Sequence, residues 1–387
     1  MSIVLSASVR QNLLSLQSTA DLLSTTQNRL ATGNKVNSAL DNPTNFFTAQ
    51  GLNNRASDIN NLLDSIGNGV QVLQAANTGI TSLQKLVDTA KSIANQVLQA
   101  PAGYTTKSTV SSTALAGTAD DLVDGTVLDA TDQLQIAATA GHAAVNFTFT
   151  ATTSLADLNA ALATSNLSAS LDSTNQLVIS TTNDTASSTI GAVTFTNTGG
   201  GTVTFGAAGS APVADAASQT IRASLVKQYN DIITQVTTTS QDASFNGINL
   251  LNGDDLKLTF NETGKSTLNI KGVTFNAAGL GLASLTSGTD FLDNSSANAA
   301  LTKLSAASTV LRTQASSLGS NLSVVQIRQD FNKNLINVLQ TGSSNLTLAD
   351  TNEEAANSQA LSTRQSIAVS ALALANQSQQ SVLQLLR

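Results

Sequence analysis

Residues 52–98 read LNNRASDINNLLDSIGNGVQVLQAANTGITSLQKLVDTAKSIANQVL, and their spacing decides the fold. Leu52, Ile59, Ile66, Leu73, Ile80 and Val87 recur every seven residues, and Ala94 extends the series. Leu62, Ala76, Leu83, Ala90 and Val97 form a second row three residues later, with Leu63 and Val70 a partial third. A straight helix drifts by about 20° per heptad, so a seven-residue apolar row held this long specifies a coiled-coil seam. At about 1.5 Å per residue the stretch makes a rod roughly 70 Å long. Such a rod cannot bury its stripe alone, so partner helices lie elsewhere in the chain or in other chains.

Working outward, Val9, Leu16, Leu23 and Leu30 repeat at seven within a helix predicted over residues 3–32, and Gly33 stands at its C-cap. Asn34 to Asp41 form a polar connector, after which Asn42 caps a new helix with Pro43 at its first position. Beyond Pro101 the pattern changes to period two: Leu134–Ile136, Val145–Phe149, Leu167–Leu171, Leu177–Ile179, Val193–Phe195 and Val203–Phe205, with a short helix capped by Ser154. Gly199–Gly201 read as a turn between the last two of these runs. Helical spacing returns at 216–241 through Ile221, Leu225, Ile232 and Val236. A turn-dense segment from Phe245 to Gly253 leads into paired strands at 256–260 and 268–270. Leu304, Leu311, Leu318, Val325 and Leu339 then share one heptad register, interrupted only by Asn332. The last stretch is amphipathic and carries Leu372, Val382 and Leu386. The fold expected is mainly α with an inserted α+β outer module: long antiparallel coiled-coil helices from both termini form a rod that carries a β-hairpin.

Composition excludes several function classes. The 387 residues contain no Cys and one His, so disulfides, Cys-ligated zinc and thiol chemistry are out. Residues 101–215 hold nine Asp and one base, Lys107, a net of −8, while the remainder nets +1. That marks a solvated acidic module on a nearly neutral framework, and no basic patch suits nucleic acid. No apolar run reaches the ~18 residues of a membrane span. The first twenty residues carry Arg10 and no apolar run, so no secretory leader is expected. His142 reads as an exposed loop or strand-end residue, and Asp120, Asp121 and Asp124 as a solvated loop without the spacing of a calcium site. Glu353 and Glu354 read as the acidic opening of the last helix rather than catalytic acids. No catalytic, metal or cofactor-binding residues are expected. Asn77 and Asn332, polar positions within or beside seams, either fix register or face outward.

Several segments carry a family resemblance. Leu30-Ala31-Thr32-Gly33-Asn34-Lys35-Val36-Asn37-Ser38-Ala39, with Asp41 after it, resembles the "L-S-[ST]-G-x-[RK]-[IV]-N-S-A" segment of bacterial flagellin, the filament subunit. Ser244-Phe245-Asn246-Gly247 followed by Leu250-Leu251 resembles that family's "[ST]-x-F-N-G-x-x-L-L", and the closing Ala/Gln/Leu helix is like its C-terminus. The resemblance covers about residues 1–100 and 216–387. It implies an inner helical domain (1–44 plus 345–387), a rod or shell domain with the hairpin (45–100 plus 217–344), and a variable outer domain (101–216). In the commonest enteric form the insertion follows the hairpin; here it sits between the first two shell helices.

The function the resemblance implies is self-polymerisation into an extracellular flagellar filament, exported without a cleaved signal peptide. Implied partners are further copies, an export chaperone on the C-terminal helix, and filament cap and junction proteins. Alternatives are a hook–filament junction protein, built on the same termini, and a secreted coiled-coil adhesin. The family's segment bound by an animal innate receptor resembles Leu83 to Ser92, where Val87 and Thr89 replace the usual arginine and leucine; weak activation is expected. The plant-recognised segment resembles Asn28 to Ala49, and Leu40, Pro43, Asn45, Phe46 and Phe47 depart from it.

Overall fold

The computed structural model describes residues 7–385. Leu386 and the side chain of Val382 lie outside the described residues. Two helices open the chain, α1 (Ala7–Thr32) and α2 (Pro43–Gln99). Next come β1 (Tyr104–Thr106), β2 (Thr109–Ala114), β3 (Gln133–Ile136), β4 (Val145–Thr148) and α3 (Leu155–Ala163). The inserted region ends with β5 (Leu167–Leu171), β6 (Gln176–Thr181), β7 (Val193–Thr196) and β8 (Val213–Ala214). The chain continues through α4 (Ala216–Asp242), β9 (Leu256–Thr259), β10 (Thr267–Ile270), α5 (Asn294–Thr347) and α6 (Thr351–Leu385). No helix among the described residues is long and apolar enough to cross a membrane.

The chain divides into two compact units. One comprises residues up to Val70, Lys257–Leu268 and Ser323 onward; the other comprises Gln71–Leu256 and Asn269–Leu322. In the first, α1 packs along α6, and Ala56 and Ile59 of α2 cluster with Ile336 and Leu339 of α5. Leu52, Leu63 and Leu335 close over that cluster.

The second unit contains the β module and its base. β2, β6 and β5 form one antiparallel sheet in the order β2-β6-β5, and β4, β3 and β7 form another in the order β4-β3-β7. Leu134 on the central β3 lies between Phe147 of β4 and Phe195 of β7. Alternation turns one face of each strand inward, so Val110, Leu134, Ile136, Ile179, Leu158 and Leu162 share one core. α3 opens with a reciprocal capping box, in which Ser154 Oγ accepts from Asp157 N and the Asp157 carboxylate accepts from Ser154 N.

The last strand-like run, Val203–Phe205, lies beside β2: Phe205 bridges Ser112, and Thr113 N donates to Thr204 O at 2.8 Å. Just after it, Ala207 O accepts from Val193 N of β7 at 3.0 Å. Two sequence expectations need correction here. His142 is buried, not exposed. Gly191 N donates to its Nε2 at 3.1 Å, which leaves Nδ1 to donate to Ala143 O at 3.1 Å. On α4 the buried face runs through Arg222, Leu225, Tyr229, Ile233 and Val236. Ile221, one residue and about 100° away from Arg222, is half exposed.

Arg222 is the polar keystone of this unit. Its guanidinium donates to the carbonyls of Pro101 (2.8 Å), Phe291 (2.8 Å), Leu292 (3.2 Å) and Ala100 (3.3 Å), and to Asn294 Oδ1 (3.3 Å). It thereby ties the end of α2, the start of α5 and the base of the β module to α4. Phe291 takes a φ of 61°, which a bulky residue adopts only under constraint; Ser296 Oγ accepts from its N–H at 2.7 Å and Tyr229 stacks edge-on against its ring. Burial pushes the neighbouring Asp293 carboxyl up, opposed by the N–H and hydroxyl that Ser187 donates to it and by the charge of Arg222.

Candidate assembly surfaces

Three features come together on the helices: filled seams, a paired connector and unfilled apolar stripes. Of the seam residues, Ile59, Ile66, Leu73, Ile80, Val87, Leu304, Leu311, Leu318, Val325 and Leu339 are buried, and Leu52 is partly so. Val9 is buried as well, whereas Leu16, Leu23 and Leu372 are half-buried and Leu30 is 39% exposed. The difference has a simple cause. α1 has α6 as its helical neighbour, and a two-helix pair covers one stripe of each member only.

The two seam asparagines part ways. Asn77 faces solvent, while Asn332 is buried and its Nδ2 donates to Phe260 O at 3.0 Å. The same hairpin end holds the Phe260 ring 5.7 Å from the guanidinium carbon of Arg328. On α2, Gly69 leaves room for Leu258, which sits where a Cβ would stand.

The Phe245–Gly247 motif forms a tight turn in the other unit. Asn246 and Gly247 have φ of 51° and 79°, and Phe245 and Ile248 exchange main-chain bonds at 3.0 and 3.1 Å. Successive positive φ angles suit Asn-Gly and twist the chain as a hairpin needs. Two residues on, buried Asn249 ends α4: its Nδ2 donates to Ser240 O and Gln241 O, and its Oδ1 accepts from Leu251 N at 2.9 Å. Gly79 of α2 admits this turn, since a Cβ there would meet Leu251 Cδ1 at 2.6 Å and Ala243 Cβ at 2.7 Å.

Gly33, Asn37 and Asp41 belong to the connector between α1 and α2. Gly33, at φ 71°, ends α1. The connector then pairs with the junction of α5 and α6: Lys35 N and Val36 N donate to Thr347 O (2.7 and 3.3 Å), and Ala349 N donates to Gly33 O (2.9 Å). Asp41 Oδ2 accepts from Ser38 N (2.8 Å), Asn37 N (3.0 Å) and Ser38 Oγ (3.1 Å). The Ser38 and Asn37 N–H groups hold its carboxyl below the usual range. Arg29 reaches buried Glu354 at 3.3 Å, so one of the two acids at the start of the last helix is an ion-pair partner across the junction.

Against these filled positions stand large apolar side chains in water. On α5 they include Val324, Ile327 (66% exposed), Phe331 and Val338, at steps of three, four and seven. On α1 they include Leu14 and Leu22, and on α6 Ile367, Val369 and Leu374. The α5 stripe escaped the sequence reading, although Val324, Phe331 and Val338 form their own heptad row one residue before the buried one. Arg222 and Asn249 also escaped it, because a lone polar residue in an apolar run carries no signal of what it bonds.

A sequence model of the bacterial flagellin N-terminal helical region matches residues 5–125, and one of the C-terminal helical region matches residues 301–386. Flagellin FljM of Caulobacter vibrioides is 33% identical over 168 residues, 42% of this chain and 59% of that protein. Flagellin FljK of the same organism is 34% identical over 169 residues, again 42% of this chain and 59% of that one. Flagellin A of Rhizobium meliloti is 34% identical over 124 residues, 32% of this chain and 27% of the relative. The chain therefore spans about three fifths of the Caulobacter relatives' length. Both terminal helical regions are matched in order, over more than half of the residues, and the Gly33–Asp41 connector and Phe245–Gly247 turn are built as described above: the chain belongs to the bacterial flagellin family.

Proposed function

We propose that the chain is the structural subunit of a bacterial flagellar filament, polymerising with copies of itself into an extracellular helical propeller. The observation that carries this is the second, unfilled stripe on α5, Val324, Ile327, Phe331 and Val338, on a helix whose first seam is already occupied. Burying a large aliphatic or aromatic side chain contributes about 1.5–3 kcal/mol, so a stripe of four drives association strongly. Contacts between different surfaces of identical chains extend as a helix wherever the rotation between copies does not close a ring. The protein acts through packing, not catalysis.

On this reading residues 1–44 with 345–387 form the inner domain, 45–100 with 217–344 the shell, and 101–216 the solvated outer domain. The self-contained core of the β module and its acidic balance support the last assignment. An export chaperone, a filament cap and junction proteins are the further partners.

Electron microscopy of the purified chain after addition of sulfate, which strengthens apolar burial, tests the proposal. Long uniform helical filaments are expected, and none from a chain lacking the last forty residues. Monomers or short caps, even with seeds, would overturn it in favour of a junction protein.

A further inference from the structure

The β module is joined to the helices by a narrow neck. β1 and β8, three and two residues long, pair as an antiparallel ribbon. Tyr104 stands opposite Ala214 and Thr106 opposite Val213, with a register shift between the two pairs. An isolated two-stranded ribbon is marginal in water and twists readily. Its foot is fixed: Asp215 N donates to Gly103 O at 2.9 Å, Gln219 Nε2 donates to the same carbonyl at 3.2 Å, and Arg222 holds the carbonyls of Ala100 and Pro101. Beyond the neck the module has a core of its own. A body with its own core on a narrow connection turns freely unless a further contact stops it.

Ser187 supplies such a contact. Its N–H donates to Asp293 Oδ1 at 2.8 Å and its hydroxyl donates to Asp293 Oδ2, across 106 residues of chain. Among the described residues, these two are the hydrogen bonds that join the module body, 107–211, to the helices and the loop before α5. The accepting carboxylate is firmly placed, because Arg222 bonds Leu292 O on one side of it and Asn294 Oδ1 on the other. Two donors from one residue onto one carboxylate fix direction as well as distance. Burial opposes the Asp293 charge, while the Ser187 donors and the Arg222 charge favour it, so the contact closes against a cost.

We propose that Ser187 and Asp293 form a latch that sets the orientation of the β module, and that without it the module turns about the β1–β8 ribbon. The neck alone leaves that orientation free, and a second attachment point removes the freedom. Both halves of the latch belong to one chain, so the device works in the monomer and does not depend on the polymer reading.

The absence of cysteine makes the test direct. Ser173→Cys on the module and Lys303→Cys on α5, both exposed positions, carry spin labels, and electron resonance reads the distance between them in the monomeric chain without sulfate. A single narrow distribution is expected with the latch intact. Asp293→Ala, which removes both acceptors, should broaden it about twofold, and Ser187→Ala, which keeps the N–H donor, should fall between. Hydrogen exchange at β3 and β6 is expected to stay as in the parent, since the module's core is untouched. Should Asp293→Ala lose that protection, the same widths are read from Ser187→Ala alone. A latch-free chain with the parent's narrow distribution, or a parent already as broad as the variants, overturns the inference.

Discussion

The side-chain amide of Asn332 donates to the main-chain carbonyl of Phe260 at 3.0 Å, from a position on α5 where every neighbouring heptad residue is apolar. The bond joins the long helix to the hairpin that follows α4. Replacing Asn332 with Leu restores the apolar row and leaves the carbonyl without this donor. A buried polar group stripped of its partner costs about 1–3 kcal/mol, so Asn332→Leu destabilises the chain by that amount in urea unfolding. An unchanged or raised midpoint would show that the bond contributes nothing.

Arg222 tests the keystone. Arg222→Met keeps much of the aliphatic bulk and removes the donors that serve four carbonyls and Asn294. The expected loss is about 2–5 kcal/mol by calorimetry or denaturant. Protection of main-chain amides near 291–294 should fall first in hydrogen exchange, since Phe291 holds its positive φ only while bonded on both sides.

Two glycines on the long helices should respond in opposite ways. At Gly319 a Cβ meets nothing within 4 Å, so Gly319→Ala stabilises by about 0.5–1 kcal/mol through helix propensity. At Gly79 the same change drives a Cβ into Leu251 and Ala243, and overpacking of about 1–3 kcal/mol outweighs the propensity gain. Thermal unfolding of the pair decides it: similar shifts for both would contradict the close approach of α2 to the Phe245–Leu251 turn.

Acid should weaken the β module through Asp124. Partial burial opposes ionisation there, but the main-chain N–H groups of Thr126, Leu128 and Val127 bond the carboxylate and hold its pKa at about 2. A carboxyl whose folded pKa lies below its unfolded one stabilises fully above the unfolded value, near 4, and loses that contribution as pH falls towards 2. Asp293, raised by burial, has the opposite sign: its cost is relieved as it protonates in acid. The difference in stability between the wild type and Asp124→Asn should therefore shrink between pH 4 and pH 2 in urea titrations, and a constant difference would refute the assignment.

The α5 stripe can be tested apart from folding. Ile327→Ser with Phe331→Ser changes side chains that stand largely in water, so monomer unfolding stays within about 0.5 kcal/mol. The concentration needed to polymerise should rise by at least about tenfold. Normal assembly of this double variant would remove the observation on which the filament reading chiefly rests.

Much of this was legible in the chain because helices announce themselves locally. Ile59, Ile66, Leu73, Ile80 and Val87 lie on one stripe whatever surrounds them, since helical geometry alone puts every seventh residue on one face. Gly33 and the Asn246-Gly247 pair are equally local: each position needs a positive φ, and these residue types supply it. The caps at Ser154 and Asn42 follow from the same near-neighbour chemistry.

Non-local partners were not legible. The Val203–Phe205 run had the pattern of a strand, but its partner, β2, lies far back in the chain and no local signal names it. His142 had no apolar run around it to betray its burial, which depends on Gly191, forty-nine residues away. On α4 one residue of rotation separated Ile221 in water from Arg222 in the interior, and periodicity does not resolve a single step when both rows contain apolar residues.

The sequence by itself determined the helices, their seams, the two motif turns and the family, because each depends on residues within one or two turns of each other. Only the tertiary structure decided which carbonyls Arg222 and Asn332 bond, that Asn77 faces out while Asn332 faces in, and that α5 keeps a second apolar stripe in water. Those outcomes depend on which surfaces meet across long separations in the chain, and a heptad row specifies that a partner exists without naming it.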